Sequence, residues 1–363
     1  MKYSGIGGQA VIEGVMMKNK EKYAVAVRKP DHEIEVMVSE YTGITKNEKI
    51  KNMPILRGVF NFIDSLVLGM QTLTYSASFF EEEEATDKKV DAKKENAMMG
   101  GTVVLSIVLA VGIFMMLPYF ISSFFQKLIP SSLLLALLEG VIRLAIFIGY
   151  VALISLMEDI RRVYMYHGAE HKCINCIEHG MDLNVENVRK SSRLHKRCGT
   201  SFLLIVMFFS ILFFMFIRVD SAILKVVLRL LLIPVIAGVS YEFIRLAGRS
   251  DNILVRMISA PGLWLQKLTT KEPDEDMIEV AIAAIEAVFD WKAYFKTEFD
   301  YDVDVALEVA ENSERISKEM EEDQEIDVDT EDTRAAREDA AVTEEDAAQE
   351  ADLPEIPKTE NQE

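Results

Sequence analysis

"GGTVVLSIVLAVGIFMMLPYFISSFF", residues 100–125, decides the class of fold. It carries no charged side chain and exceeds the roughly 20 apolar residues that cross a bilayer as a helix. Three comparable stretches follow, at 132–157, 200–217 and 223–247. The third is short but has no internal charge. Together they predict an α-helical polytopic membrane protein with four transmembrane helices. Residues 1–20 lack the apolar core of a signal peptide.

The flanks set the expected orientation. The segment 158–199 carries eight cations: Arg161, Arg162, Lys172, Arg189, Lys190, Arg193, Lys196 and Arg197. The connections at 126–131 and 218–222 carry one each, Lys127 and Arg218. Lys and Arg accumulate on the cytoplasmic side. The expectation is a multi-pass protein of the cell membrane with both termini in the cytoplasm. Cysteines of 158–199 then sit in a reducing compartment and favour metal or free thiol over disulfide.

Outside the spans the composition changes. Residues 301–363 hold 24 acidic and 5 basic side chains, a net of −19, which equals the net charge of the whole chain. The remaining 300 residues are therefore neutral. The tail has almost no large apolar residues, so it cannot bury enough surface to offset its chain entropy and is expected to be a disordered acidic tail. A long basic patch is absent, which argues against nucleic acid as a partner. The bilayer is the first partner implied, with protein partners or self-association suited to the acidic tail.

At the other end, "YAVAVRK" and "EIEVMVSEY" alternate apolar and polar residues about the turn "PDH" and predict a β-hairpin. Residues 54–76 are apolar but broken by Arg57 and Asp64, and 251–268 carry Trp264 between cations. Both read as interfacial helices, the first equally as a re-entrant segment. The expected divisions are an N-terminal cytoplasmic β-hairpin region at 1–53, an interfacial helix at 54–80 and a charged linker at 81–99. Spans one and two occupy 100–157, a cytoplasmic His/Cys loop 158–199, and spans three and four 200–247. Interfacial and cytoplasmic helices at 248–300 and the tail at 301–363 complete the chain.

The chemistry concentrates in "YHGAEHKCINCIEHG", residues 166–180, which holds three of the five His and two of the three Cys. His167, Glu170 and His171 spell H-x-x-E-H. On a helix, positions i, i+3 and i+4 share a face. No Pro follows the second span, so its helix can run on and carry both imidazoles into the cytosol. In inverted zinc hydrolases the two His hold metal and the Glu is the general base. A rival uses the same region: Cys173 and Cys176 form C-x-x-C, His195 and Cys198 form H-x-x-C, and four such ligands make a closed structural zinc site. Glu242, near the cytoplasmic end of the fourth span, is either a further ligand or an ion-pair partner of Arg245. His179 reads as a solvated loop residue.

Two further groups stand out. Glu139 and Arg143, at i, i+4 in the second span, predict an internal ion pair; Arg229 of the fourth span is the other deep charge. Near the N-terminus, Glu13 lies among apolar neighbours in "SGIGGQAVIEGVMMKN". It is either a site carboxylate or a surface strand residue; the pattern lacks the Gly-Lys-Ser/Thr of a phosphate loop.

The blocks "GGQAVIEGVMM" (7–17), "YHGAEHK" (166–172), "SRLHKRCGTSF" (192–202), "VIAGVSYEFIR" (235–245) and "LWLQKLTTKEPDEDMIEVAI" (263–282) occur in this order. In this the chain resembles the YqhQ-like bacterial membrane proteins, the family of domain of unknown function DUF1385, over about residues 3–290. The resemblance implies a multi-pass membrane protein with a suggested metal-dependent enzymatic role. It further implies that Cys173 need not be Cys, which favours His167, His171, His195 and Cys198 as the shared set.

The leading expectation is a membrane-bound, metal-dependent enzyme of hydrolase type at the cytoplasmic interface. A divalent metal, zinc by donor type, would be held by His167 and His171 and completed by His195, Cys198 or Glu242. Glu170 would activate water and Glu13 line the site. The competing class is a non-catalytic scaffold, assembly factor or transporter with a structural zinc or none. An open coordination position separates the two, because structural zinc sites are closed.

Overall fold

The computed structural model describes residues 2–45, 53–80, 92–217, 219, 221–247 and 253–304. Most of the expected charged linker and all but the first residues of the acidic tail lie outside these.

The N-terminal part is a four-stranded antiparallel sheet in the order β1-β2-β3-β4, formed by β1 (Gly7–Val11), β2 (Gly14–Asn19), β3 (Lys22–Arg28) and β4 (Ile34–Glu40). The predicted hairpin is β3–β4, with Val25 opposite Met37. The glycine-rich start forms a second hairpin, β1–β2, that the sequence reading missed. Its turn is Ile12-Glu13, and Glu13 sits at φ +48°. Alternation along the central strands buries both faces. Met16, Tyr23, Val25 and Val27 face Leu68 of α1 (Leu56–Ala77). The opposite face is covered by α10 (Glu275–Glu286), whose Met277, Ile278, Ala281 and Ile285 are fully buried.

The apolar helices are α2 (Ala92–Val111), continued through a π-turn at Gly112–Met116 into α3 (Leu117–Phe124), then α4 (Ser132–Ile154), α7 (Gly199–Met215) and α8 (Ala222–Ala247). Among the described residues three helices are long and apolar enough to cross a membrane: Gly100–Phe124, Ser132–Ile154 and Ile223–Leu246. The expected third span, α7, has 17 residues. At 1.5 Å per residue it is about 26 Å long, against a hydrocarbon core of about 30 Å. Val104, Leu105, Val108, Val141, Leu153 and Leu231 point outward from the bundle, as lipid-facing side chains do. Helix α1 crosses α8 closely: a Cβ on Gly58 would lie 2.9 Å from the Cα of Gly238. Arg57 closes the same crossing by pairing with Glu242.

The second span does not run on into the histidine segment. Met157 adopts an extended backbone (ψ 134°), and a new helix, α5 (Glu158–Glu178), starts there with Glu158 and Asp159 in its first turn. Those carboxylates favour a helix N-terminus at that point, which the absence of Pro did not reveal. The expected His/Cys loop is thus mostly helix: α5, the short α6 (Val185–Lys190) and an extended segment up to Cys198. Helix α9 (Ile253–Thr269) leaves Trp264 exposed, while Leu265 and Gln266 are buried where it packs against α4 and α7. Helix α11 (Trp291–Glu298) follows. The chain divides after Tyr294. In the second part, Lys296 pairs with Asp302 at 2.7 Å.

Candidate metal centre

Helix α5 brings His167 and His171 onto one face, as their spacing requires, with ring centroids 4.4 Å apart. The third group is Cys198, the N-cap of α7, whose Sγ lies 3.2 Å from His167 Nε2. One ligand atom from each of these three residues lies within 4.8 Å of the others.

Backbone carbonyls orient both rings. His167 Nδ1 is 2.9 Å from the Thr269 carbonyl at the end of α9, and His171 Nδ1 is 2.7 Å from the Arg193 carbonyl. A carbonyl only accepts, so each Nδ1 carries the proton and, in the neutral ring, each Nε2 carries a lone pair. This is how metal-ligating histidines are commonly anchored.

The anchors are themselves held in place. Lys172, buried on α5, donates to the carbonyls of Arg189 and Ser191 at 2.9 and 3.0 Å. Asn175 donates to those of Ser192 and Leu194. These bonds lay the 191–198 segment along α5. Gln266 of α9 exchanges hydrogen bonds with the backbone of His195 and reaches Ser201 Oγ. On the far side, Gly168 allows α5 to touch the chain after α9, where a Cβ would stand 2.0 Å from the Lys271 carbonyl oxygen.

The electrostatics couple the three groups. Burial alone would lower the His167 pKa, but the Cys198 sulfur beside it overrides burial and carries it up to about 9. Burial alone would raise the Cys198 thiol, and His167 and His171 instead pull it well below its ordinary value. Both shifts run in the direction of an imidazolium–thiolate pair. Glu170, 5 % exposed, borders the cluster. Its carboxyl packs against Gly8 of β1, its Oε2 has no hydrogen-bond partner, and burial pushes its carboxyl up. All four side chains line a cleft of about 520 Å³ between the edge strand β1, α5 and the start of α7. That volume suits a small-molecule group. The role of β1 was not legible in the sequence; paired glycines ahead of an alternating strand were the available signal.

The other expected site residues are placed elsewhere. His195 lies on the cleft wall with its ring 5.7 Å from His171, and its Nε2 faces Glu178 at 3.5 Å. Glu178 is fully buried. Burial would raise its carboxyl, yet His195, Arg197 and Ser4 hold it at about 2. Glu242 is not brought to the cluster: both its oxygens are taken by Arg57, with Arg245 only a weaker neighbour. Glu13 is likewise away from it, gripped by Arg162 through both oxygens and by the Tyr166 hydroxyl at 3.2 Å. The four Cys and His of the closed-site reading do not meet: Cys176 donates to the carbonyls of Met181 and Asp182, and burial raises the thiols of Cys173 and Cys176. His179 is exposed at the end of α5.

Two comparisons place the chain among known sequences. The family described as "Protein of unknown function (DUF1385)" matches residues 53–291. "Uncharacterized protein YqhQ" of Bacillus subtilis (strain 168) is 33% identical over 287 residues, which cover 76% of this chain and 89% of that protein. No solved structure matches.

Proposed function

We propose that this chain, which belongs to the DUF1385 family, is a multi-pass membrane protein with a divalent-metal site and acts as a metal-dependent enzyme of hydrolase type. The ligands are His167, His171 and Cys198. The observation that carries the reading is the pair of Nδ1–carbonyl bonds, which leave both Nε2 atoms as the lone-pair nitrogens, in a cluster where one ligand atom each of His167, His171 and Cys198 lies within 4.8 Å of the others. Two imidazoles and a thiolate are a zinc donor set, and three protein ligands leave a fourth position open. Glu170 Oε2, buried without a partner in the same cleft, is the unsatisfied atom that a ligand or reactant would meet.

A zinc ion held there would supply Lewis acidity, polarising a carbonyl or phosphoryl oxygen of a substrate in the cleft. Glu170, its carboxyl raised by burial, is suited to take up and return a proton. The strand β1 and the start of α7 form walls of the cleft.

The topology completes the reading. With α7 as a fourth, short span, the eight cations of 158–199 support a reading in which the metal centre and both termini lie on the cytoplasmic face. A short span is accommodated by local thinning of the bilayer and by neighbouring helices, and α7 packs against α4, α8 and α9.

A second reading draws on Cys198 alone. Its depressed thiol pKa and its position at the start of α7 are the attributes of a nucleophilic cysteine. Cobalt(II) loading separates the two. The metal reading expects a thiolate-to-cobalt charge-transfer band in the wild type that is lost in Cys198→Ser and kept in Glu170→Gln. A wild-type protein that takes up no cobalt, with Cys198 open to alkylation throughout, supports the nucleophile instead.

A further inference from the structure

A second polar cavity, of about 360 Å³, lies at the other end of the apolar helices. Along α7 it is sixteen residues from Cys198, about 24 Å. Its walls are the ends of α3, α4 and α7 and the first turns of α8, and they include Tyr119, Gln126, Glu139, Lys225 and Arg229.

The charges here do not balance. Glu139 is 6 % exposed, Arg143 and Arg229 4 % each. Arg143 is fully engaged from behind: Nη2 with Glu139 Oε1 at 2.7 Å, Nη1 with Ser210 Oγ at 3.2 Å, Nε with the Phe114 carbonyl at 3.1 Å. Arg229 reaches Glu139 through Nη1 and Nη2 at 2.7 and 2.8 Å, but its buried Nε has no partner. Lys225, one turn nearer the mouth, sits 5.0 Å over the Tyr119 ring and has no carboxylate partner among the described residues. Among the described residues, one carboxylate thus faces three cations. An internal ion pair accounts for Glu139 and one arginine; among the described residues no further carboxylate compensates the second arginine and Lys225. Cations within an apolar bundle are costly unless paired, and mark ligand or ion sites.

We propose that this cavity binds an oxyanion of the phosphate class. Lys225 Nζ and Arg229 are its charged donors and the Gln126 amide a neutral one at the rim. The first turn of α4, whose Ser132 lines the cavity, adds the positive end of a helix dipole. Two surplus positive charges match a phosphate monoester or diester and reject a cation. The same chemistry is offered by an anionic phospholipid headgroup and by free phosphate. The site is independent of the metal centre.

The test uses the full-length protein in phosphatidylcholine nanodiscs, with thermal unfolding followed under two additions: inorganic phosphate in solution, or phosphatidylglycerol in the disc. A saturable rise in unfolding temperature with phosphate assigns a free anion; a rise with phosphatidylglycerol alone assigns a lipid headgroup. In either case Lys225→Gln should weaken the apparent affinity about tenfold, the loss of one charge-assisted hydrogen bond, and Lys225→Arg should retain it. Gln126→Glu, a change at an exposed position, should weaken it as well and decides the matter if Lys225→Gln fails to fold. No saturable response to either addition overturns the proposal. So does an equal response from the wild type and the charge-altering variants. Metal content of the same samples should not change, so failure here is distinguishable from failure of the metal centre.

Discussion

His167 Nε2 and Cys198 Sγ stand 3.2 Å apart, although 31 residues separate them in the chain. The contact joins the middle of α5 to the first turn of α7. It exists because Lys172 and Asn175 strap the intervening segment onto α5. Without a cation the contact holds a shared proton, and with one it supplies two ligands.

That proton gives metal binding a defined pH dependence. His167, raised to about 9, is protonated below that pH in the metal-free protein. Binding must displace the proton, so apparent zinc affinity should rise about tenfold per pH unit from 7 toward 9 and then flatten. Competition against a chromophoric chelator measures this. An affinity that does not change between pH 7 and 8.5 contradicts the proton-sharing pair.

Gly168 offers a test of how the site is held. In Gly168→Ala the new Cβ would meet the Lys271 carbonyl oxygen at 2.0 Å and push α5 off the end of α9. The bond from His167 to the Thr269 carbonyl lies next to it and should loosen. The expected result is a loss of about 1–3 kcal/mol in thermal unfolding, together with weaker metal retention. Unchanged stability would mean that the two segments separate without cost.

Glu139 is the keystone of the buried charges in the bundle. Glu139→Ala leaves Arg143 and Arg229 facing each other unpaired and should cost about 3–5 kcal/mol. Glu139→Leu combined with Arg229→Leu should be less destabilised than Glu139→Ala. Thermal unfolding in nanodiscs reads both, and a near-neutral Glu139→Ala would count against the pairing.

Topology can be read by reporter fusions. Fusions after Lys127 and Val219 should report the external side and one after Asn184 the internal side. An internal reading at Lys127 contradicts the four-span arrangement.

Much of this was legible before any coordinates, for reasons that depend on locality. Long apolar runs and alternating strands are local patterns, so α2, α3, α4, α8 and the β3–β4 hairpin could be read directly. So could the shared face of His167, Glu170 and His171. The ion pair of Glu139 and Arg143 also followed from spacing. What spacing could not supply were partners distant in sequence. Glu242 and Glu13 have ligand chemistry in the sequence, but Arg57 takes the one and Arg162 the other. Spacing alone tied Cys198 to Cys173 and Cys176 as readily as to the histidines; only the family resemblance grouped it with His167 and His171. The carbonyls of Thr269 and Arg193 carry no sequence signature, since every residue has one. The break at Met157 contains no Pro; Glu158 and Asp159, at the start of a fresh helix, are its sequence signal.

The central claim is that His167, His171 and Cys198 hold one divalent metal, and the most direct measurement is elemental metal content of protein purified without chelators. The account predicts stoichiometric metal, zinc by donor set, in the wild type and in Cys173→Ser. It predicts background levels in His167→Ala, His171→Ala and Cys198→Ser, since loss of one ligand of three leaves the shell unfilled. Retention in Cys198→Ser with loss in Cys173→Ser would transfer the site to the C-x-x-C pair. A wild type that folds and contains no metal would contradict the account outright.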